Sequence, residues 1–318
     1  MLRFLLRRTL TIIPLTLVMA VMMFFLMRLL PGDPALNILG PEATPEEIET
    51  LKIEMCLDQP VYYQLANWLG GIVTGDLGKS FYHDMPVSKM LFTALIPTLK
   101  LTLLSLLFGI LIGTGAGVIS AIKQDSLVDR IIVVISTSFM AVPHMWLGLL
   151  LVLLFGVVLG WLPVAGYESF KDGGVVSLKY LILPILAMST AEIGILTKMV
   201  RARMLDVLHQ DYVLTAKSKG LPFWKVILKH AFKNTLITVV TLSGMMLAGL
   251  IGGAVITENI FAIPGMGRLI VTSIVRRDYL VVQSAIMLIT FLYLFLNFLV
   301  DIIYAFLDPR VSYGSLKG

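Results

Sequence analysis

Six apolar runs alternate along the chain with more polar stretches that carry almost all of its charged residues. The runs cover residues 9–30, 98–122, 131–159, 180–200, 235–257 and 280–307. About 20 helical residues, at about 1.5 Å each, cross the hydrocarbon layer of a bilayer. Every run meets that length, so the pattern predicts an all-α membrane protein with six transmembrane helices. Pro143 lies inside the third run and predicts a tilt or kink there.

Composition supports the same class of fold. Apolar residues make up 58% of the chain and charged residues make up 14%. A soluble domain has about 25% charged residues. The mean hydropathy is strongly positive, at +0.91. The chain contains one cysteine, Cys56, so it forms no internal disulfide.

The distribution of Lys and Arg predicts the orientation of the helices. If the N-terminus is cytoplasmic, the inside segments are 1–8, 123–130, 198–233 and 308–318. The outside segments are then 31–97, 160–179 and 258–278. The inside segments hold 15 of these cations, whereas the outside segments hold eight over a greater length. The positive-inside rule therefore places both termini in the cytoplasm. The net charge of +5 follows from this asymmetry and gives no reason to expect nucleic acid as a partner.

The first apolar run begins after Arg7 and Arg8, as a signal peptide does. Its apolar core is longer than that of a typical signal peptide, and no small-residue cleavage site follows it cleanly. We therefore expect residues 1–30 to form an N-terminal tail and a retained first transmembrane helix. The core of five further helices then occupies residues 98–307, and residues 308–318 form a cytoplasmic tail.

Residues 31–97 form a small extracytoplasmic segment in this interpretation. Thr44 reads as a helix N-cap because a proline and two glutamates follow it, which predicts a short helix over 45–55. A second helix is expected from about Val61. The segment is too small for an independent enzyme domain and suits a cap at the membrane surface.

Sequence signatures of catalysis are weak in this chain. Gly78-Lys79-Ser80 resembles the end of a phosphate-binding loop, but that motif needs a glycine where Val73 stands. The four histidines include no pair at i,i+3 or i,i+4 spacing and lie near no cluster of cysteines or carboxylates. No nucleophile elbow or paired-carboxylate signature occurs. The sequence therefore predicts that the chain is not an enzyme and holds no metal.

One polar, cationic segment lies between the fourth and fifth runs. Ala216 and Gly220 are four residues apart, so they share a helix face on which another protein's backbone can approach closely. Gly220 can take the left-handed conformation that ends a helix, and Pro222 discourages continuation, so we expect a new helix from Phe223. The residues expected to contact a soluble partner are Asp211, Tyr212, Val213, Thr215, Ala216, Lys217, Ser218, Lys219, Gly220 and Leu221.

The same segment carries a family resemblance. Its order Asp-Tyr-Val-x-Thr-Ala-Lys-x-Lys-Gly-Leu, followed by His230 and Asn234, resembles the cytoplasmic coupling loop of bacterial ATP-binding cassette (ABC) importer permeases, here about residues 201–233. It is most similar to the first permease subunit of the dipeptide, oligopeptide and nickel type. Other motifs of that family follow in order along the chain: Pro31-Gly32-Asp33-Pro34, Leu57-Asp58-Gln59-Pro60, Trp161-Leu162-Pro163, Glu258-Asn259-Ile260-Phe261, Pro264-Gly265-Met266-Gly267-Arg268 and Arg277-Asp278-Tyr279.

Three positions depart from the family pattern without touching the coupling loop. Cys56 stands where glycine is usual, and Lys100 stands where an acidic residue is usual. His144, beside Pro143, also replaces the usual residue. These departures weaken the assignment of a substrate and leave the resemblance to a permease intact.

The resemblance implies a type I ABC importer permease fold in the bacterial cytoplasmic (inner) membrane. It implies four kinds of contact: a paralogous second permease, two ATP-binding subunits, an extracytoplasmic substrate-binding protein and the lipid bilayer. ATP and magnesium would be held by the ATP-binding subunits, so we expect no cofactor in this chain. ATP would close those subunits, the coupling helix would move with them, and the spans would switch access from outside to inside. Relatives carry short peptides, nickel or other metal chelates, glutathione and opines.

Some residues inside the apolar runs are candidates for the translocation path. Glu192 lies in the fourth run, and a charge at membrane depth costs about 3 kcal/mol even on lenient insertion scales. Met188 lies one turn earlier on the same helix. Gly249 and Gly253 make the fifth helix thin, which suits a face that lines a pore or meets another subunit. These four residues are therefore candidates for the path, and an internal hydrogen bond to a neighbouring helix is the alternative for Glu192.

Other residues at membrane depth are candidates for structural contacts. Asn297 and Asp301 lie one turn apart in the sixth run, and we favour a polar contact between helices for them. Gly109, Gly113 and Gly117 repeat at four-residue spacing in the second run. For this stripe we expect close packing within the subunit.

A proton-coupled secondary transporter is the alternative from another class of protein. Glu192 and Asp301 would then carry protons. We detect no inverted repeat in the single six-helix unit, and the polar segment after the fourth run has no evident role in such a transporter. A purely structural membrane protein explains neither that segment nor the charges at membrane depth.

Overall fold

The computed structural model describes residues 2–29, 33–168 and 174–307. Within these ranges the chain is almost entirely helical. Its contacts divide it into two units: unit 1 comprises Met1–Thr98 and Pro264–Phe295, and unit 2 comprises Leu99–Ile263 and Leu296–Gly318. The predicted extracytoplasmic segment 31–97 therefore shares unit 1 with a later part of the chain.

The helices and strands follow one another in this order: α1 (Leu2–Leu29), α2 (Pro34–Leu39), α3 (Pro45–Glu54), α4 (Val61–Thr74), β1 (Lys79–Ser80), β2 (Met85–Pro86), α5 (Val87–Ile122), α6 (Leu127–Ala141), α7 (His144–Leu151), a π-helical stretch (Val152–Val158), a 3₁₀ turn (Gly174–Leu178), α8 (Lys179–Leu208), α9 (Asp211–Ser218), α10 (Phe223–Lys225), a second π-helical stretch (Val226–Phe232), α11 (Lys233–Ile260), α12 (Met266–Val275) and α13 (Tyr279–Leu307). The two strands form one antiparallel hairpin.

Five helical stretches among the described residues are long and apolar enough to cross a membrane: Ile12–Leu29, Val87–Ile122, Val176–Leu208, Phe223–Ile260 and Tyr279–Val300. The all-α membrane fold predicted from the sequence is therefore confirmed. Three of these stretches are clearly longer than the predicted spans: Val87–Ile122 against 98–122, Val176–Leu208 against 180–200 and Phe223–Ile260 against 235–257. These helices therefore extend beyond the apolar runs that the sequence defines.

The third predicted span is not one continuous helix. α6 and the helix from His144 to Val158 meet at an angle of 102°, so six spans result only if this bent pair counts as one. Val142, the residue before Pro143, is extended, with φ −84° and ψ 122°. Proline's ring disfavours the helical conformation at the residue before it, and proline has no N–H to donate. Pro143 therefore produces a sharp bend, larger than the predicted tilt or kink.

Unit 1 is built around α1, the short helices that follow it, and the later helices α12 and α13. Thr44 caps α3: its hydroxyl accepts the Glu47 N–H at 3.3 Å, and the Glu47 carboxylate accepts the Thr44 N–H at 2.8 Å. This confirms the predicted N-cap, and α4 begins at Val61 as expected. Cys56 has φ +53°, a left-handed conformation in which glycine would be less strained.

A second set of contacts ties early and late segments of unit 1 together. The Met266 N–H donates to the Thr98 hydroxyl at 2.8 Å, and the Ser80 hydroxyl donates to the Asp278 carboxylate. Val87, Leu91, Met266, Ile270 and Val281 form a buried apolar cluster. Burial of Asp278 raises the pKa of its carboxyl group, and the hydrogen bond from Ser80 opposes this rise.

In unit 2 the glycines of α5 allow a close helix contact. A Cβ atom at Gly113 would lie 2.8 Å from Leu196 Cβ, and one at Gly117 would lie 2.7 Å from the Thr197 carbonyl oxygen. The Thr197 hydroxyl donates to the Gly113 carbonyl oxygen at 3.2 Å. The glycine stripe of α5 therefore packs against α8 within the same unit, as the sequence predicted.

Candidate functional site

The polar segment after α8 forms the predicted helix, turn and new helix. α9 starts at Asp211 and ends at Ser218. Gly220 has φ +72°, the left-handed conformation expected for the residue that ends a helix. Pro222 is extended and the chain becomes helical again at Phe223. The local geometry of this segment is therefore as the sequence indicated.

One face of α9 is buried against its own chain. Val213 is 0% exposed and Ala216 is 6% exposed. They belong to an apolar cluster with Met204 and Val207 of α8 and with Val226 at the start of the π-helical stretch. The expectation that Ala216 and Gly220 share an exposed docking face is therefore wrong. Ala216 is small because α9 lies close to α8 and to the following helix.

The opposite face of the segment is exposed. Thr215 and Lys219 face outward, and Tyr212 is 41% exposed. Phe223 and Trp224 are 52% and 65% exposed, and their rings meet edge to face with centroids 5.7 Å apart. We call these five residues the coupling surface. Sequence reasoning missed its aromatic part, for which the available signal was an aromatic pair directly after Pro222.

The other predicted residues of the segment occupy supporting positions. The Asn234 amide donates to the Tyr212 hydroxyl at 2.7 Å, which fixes that ring against the start of α11. The Thr215 hydroxyl donates to the Asp211 carbonyl oxygen at 2.8 Å. Leu221 packs against the apolar cluster that holds Val213, and Ser218 is exposed. The side chains of Lys217 and His230 lie outside the described residues.

Glu192 lies where α8 contacts α5. A Cβ atom at Gly109 would lie 3.1 Å from Glu192 Cβ. The side chain is half-buried, and its Oε2 atom is buried without a hydrogen-bond partner among the described residues. Glu192 therefore combines a close contact inside its own unit with a carboxylate oxygen that the described part of the chain leaves unsatisfied.

The other candidates for the translocation path differ from one another. Met188 is 3% exposed and belongs to an apolar cluster with Ala187 and Leu250, so the structure corrects its assignment to an open path. By contrast, a Cβ atom at Gly249 would meet no atom of the chain within 4 Å. A Cβ atom at Gly253 would lie 3.8 Å from His144 Nε2, a buried nitrogen without a partner among the described residues.

The polar pair of the last helix lies on α13. Asn297 is half-buried and takes part in a polar or electrostatic contact. Asp301 continues the same helix, but its side chain lies outside the described residues, as does the tail 308–318. Within the ranges that the structure describes, no group of three or more His, Cys, Asp or Glu side chains is arranged to hold a metal ion.

Comparison with known protein families gives two matches that together cover nearly the whole chain. A family model described as a binding-protein-dependent transport system inner membrane component matches residues 113–313. A model for the N-terminal part of such membrane components matches residues 1–102.

Relatives of known name are similar over their full length. A protein of Brucella abortus (strain 2308), named as a peptide transport system permease, is 44% identical over 308 residues, which are 97% of this chain and 98% of that protein. The glutathione transport system permease protein GsiC of Escherichia coli (strain K12) is 37% identical over 313 residues, which are 98% of this chain and 100% of that protein.

A solved structure resembles the fold. A chain of the MetNI methionine ABC transporter, determined in inward-facing conformations, superposes with a TM-score of 0.54 at 17% sequence identity. The superposition covers 69% of this chain and 96% of that chain. At this identity the likeness establishes the fold alone.

Proposed function

This chain belongs to the family of binding-protein-dependent transport system inner membrane components, and from that premise we propose that it carries short peptides, or peptide-like solutes such as glutathione, through its half of a translocation path. It is a multi-pass permease subunit of an ABC importer in the inner membrane. ATP hydrolysis is performed by separate ATPase subunits, and this chain is not an enzyme.

The coupling surface supports a proposal for where an ATPase subunit binds this chain. Its aromatic rings and Lys219 are exposed. On the opposite face of α9, Val213 and Ala216 are buried and hold the helix against the rest of the chain. Aromatic anchors on a rigid base are typical of protein interfaces. We assign this surface to an ATPase subunit that binds ATP and magnesium. The cation distribution supports the same side of the membrane, with both termini in the cytoplasm.

An open strip on α11 supports the proposal that this chain lines the translocation path. Gly249 and Gly252 have no neighbouring atom within 4 Å of an added Cβ, so this strip of the helix is unoccupied by the described chain. A paralogous second permease would face it and complete the path. The unsatisfied Glu192 carboxylate supports a role in contacting cationic or amino-terminal parts of the cargo, which a substrate-binding protein would deliver from outside.

Transport by reconstituted vesicles tests the proposed function. The importer is reconstituted with ATP inside, labelled dipeptide or glutathione and the binding protein outside, and an ionophore that removes the proton gradient. We expect uptake that requires both ATP and the binding protein. Uptake driven by an imposed pH gradient without ATP would instead support the proton-coupled alternative, and uptake of nickel chelates or opines alone would change the cargo class.

Loss of the aromatic anchors tests the coupling surface. A chain with Tyr212→Ala and Trp224→Ala is expected to insert normally and to lose co-purification of the ATPase subunit. The matched control is Trp161→Ala, which removes a tryptophan that is 68% exposed elsewhere in unit 2. Retention of the ATPase by the double variant would contradict the assignment of this surface.

A further inference from the structure

A buried carboxylate in unit 2 joins three elements of the fold. Asp129, in the first turn of α6, is bound by Arg201 of α8 through two parallel hydrogen bonds, Nε to Oδ1 at 2.7 Å and Nη2 to Oδ2 at 2.6 Å. The Ser120 hydroxyl of α5 donates to Oδ1, and the Asp125 N–H of the α5–α6 turn donates to Oδ2 at 3.0 Å. Each carboxylate oxygen therefore accepts two hydrogen bonds.

Stability alone is a weak reason for such a pair. The Asp129 side chain is 4% exposed and the Arg201 side chain is 25% exposed, so both groups have lost much of their hydration. A buried ion pair is often no more stabilising than apolar residues of similar size, whereas its directional hydrogen bonds fix one arrangement of the elements that carry it. The position of this pair within the fold therefore matters more than its strength.

The helix that carries Arg201 also supports the coupling surface. Arg201 is about two helical turns before Leu208, the last residue of α8, and α9 begins at Asp211. Met204 and Val207, which follow Arg201 on α8, are buried in the same apolar cluster as Val213 of α9. A force on α9 therefore acts directly on the end of α8 that Asp129 holds.

The contacts of α8 with α5 and α6 leave little room for sliding. Besides the glycine stripe of α5, Gly194 of α8 lies close to α6, where an added Cβ would be 2.5 Å from the Ser136 carbonyl oxygen. The connection from α9 to α11 is different, because Val226–Phe232 is π-helical. π-helical turns are rare and occur often at functional sites, where the helix ladder is interrupted. The stiff route out of α9 thus runs through α8.

We propose that the Asp129–Arg201 pair is a positioning element of the transport cycle, which makes α5, α6 and α8 follow the movement of α9 as one body. The proposal rests on the proposed docking of an ATPase subunit at the coupling surface. The pair contacts neither cargo nor nucleotide in this role. It acts by keeping the end of α8 from yielding when α9 is displaced.

Separate measurement of ATP hydrolysis and uptake tests the proposal. Arg201→Lys keeps the positive charge but cannot make both parallel hydrogen bonds, and Asp129→Asn removes the charge at equal size. Each variant is reconstituted with its ATPase, second permease and binding protein, and the amount of labelled cargo imported per ATP hydrolysed is measured. We expect the ATPase to remain bound and its binding-protein-stimulated activity to persist. The cargo imported per ATP should fall about tenfold, within the usual range of coupling between sites.

Matched controls lie on the same helix. Arg203→Lys and Asp206→Asn change exposed residues of α8 and should leave the ratio of cargo to ATP unchanged. A structural role alone would lower the thermal stability of the Asp129 and Arg201 variants without changing that ratio, and this result would overturn the proposal. Loss of the ATPase from either variant would also overturn it, because the pair would then serve docking. Should Asp129→Asn fail to fold or to insert into the membrane, Arg201→Lys decides the question.

Failure of the positioning role can be distinguished from failure of the proposed docking. If the variants of Tyr212 and Trp224 keep the ATPase, the docking assignment fails whatever the Asp129 variants do. If those variants lose the ATPase and the Asp129 and Arg201 variants keep both the ATPase and the normal ratio, docking stands and the positioning role fails.

Discussion

Two glycine-rich helices of unit 2 share a spacing and differ in what surrounds them. On α5, Gly113 and Gly117 are buried against α8, where an added Cβ would come within 3 Å of neighbouring atoms. On α11, Gly249 and Gly253 have the same spacing, but an added Cβ at Gly249 would meet no atom within 4 Å and one at Gly253 would lie at an ordinary contact distance, 3.8 Å, from His144 Nε2. Four-residue spacing of small residues therefore identifies a face for close approach, but not the partner of that face. Only the fold shows that one face is already occupied and the other is available to another chain or to a path.

Filling the occupied stripe has the largest expected effect. Gly117→Val would drive side-chain atoms into the Thr197 carbonyl oxygen, which belongs to the backbone and cannot rotate away. We expect little folded protein from this variant, and Gly117→Ala should lower the free energy of unfolding by about 1–3 kcal/mol, as overpacking of a core does. Thermal unfolding in detergent measures the change. Gly115→Ala, which meets open space on the same helix, is the control and should be neutral or slightly stabilising.

At Gly220 the backbone conformation, and not the surrounding space, limits which residues fit. An added Cβ at Gly220 would meet no atom within 4 Å, yet φ is +72°. Gly220→Val should abolish uptake with membrane insertion intact, because a β-branched residue is strained in this conformation and the turn after α9 would change. Gly220→Asn should keep most of the uptake, since asparagine tolerates the left-handed region. Normal transport by an assembled Gly220→Val importer would contradict this prediction.

Filling the open strip tests whether it belongs to another chain or to the path. Gly249→Leu should leave the stability of the isolated subunit almost unchanged and lower uptake several-fold, because the added side chain projects from the chain. Gly244→Leu is the matched control on α11. It would collide with the Val300 side chain, 2.5 Å from an added Cβ, and should therefore lower stability first. Equal uptake by wild type and Gly249→Leu would show that the strip faces lipid.

Glu192 lies beside the occupied stripe and gives the smallest expected change. Glu192→Gln keeps the volume next to Gly109 and removes the charge. We expect uptake to fall a few-fold, with assembly and ATP hydrolysis largely preserved, and the loss should be greatest for cargo with a free amino group. Unchanged uptake across all cargoes would show that the residue serves only the contact between α8 and α5.

Local sequence signals predicted local structure well. Gly220 and Pro222 predicted the end of α9, and Thr44 predicted the start of α3, because each acts through its own backbone or its immediate neighbours. Pro143 predicted a tilt or kink, but the 102° angle between the two helices was not predicted, because it depends on the extended conformation that Val142 adopts before the proline.

Signals that depend on distant residues were less informative. Helical spacing placed Ala216 and Gly220 on one face, but spacing does not show that α8 covers Ala216. Met188 was assigned to the path for a similar reason, and the surrounding apolar residues bury it. The Asp129–Arg201 pair was missed entirely, because its partners are 72 residues apart in the sequence. Such partners meet only through the tertiary fold.

The hydrogen bonds of unit 1 imply that this unit completes its folding only late in synthesis. Ser80 is bonded to Asp278, 198 residues later, and Thr98 is bonded to Met266, 168 residues later. A ribosome therefore finishes most of the protein before the predicted extracytoplasmic segment can acquire these partners. Until then Ser80 and the apolar residues near Val87 remain without their native neighbours, as happens in chains rich in long-range contacts. Truncation before Met266 removes both partners and should consequently expose the predicted extracytoplasmic segment to proteases, although that segment was synthesised long before.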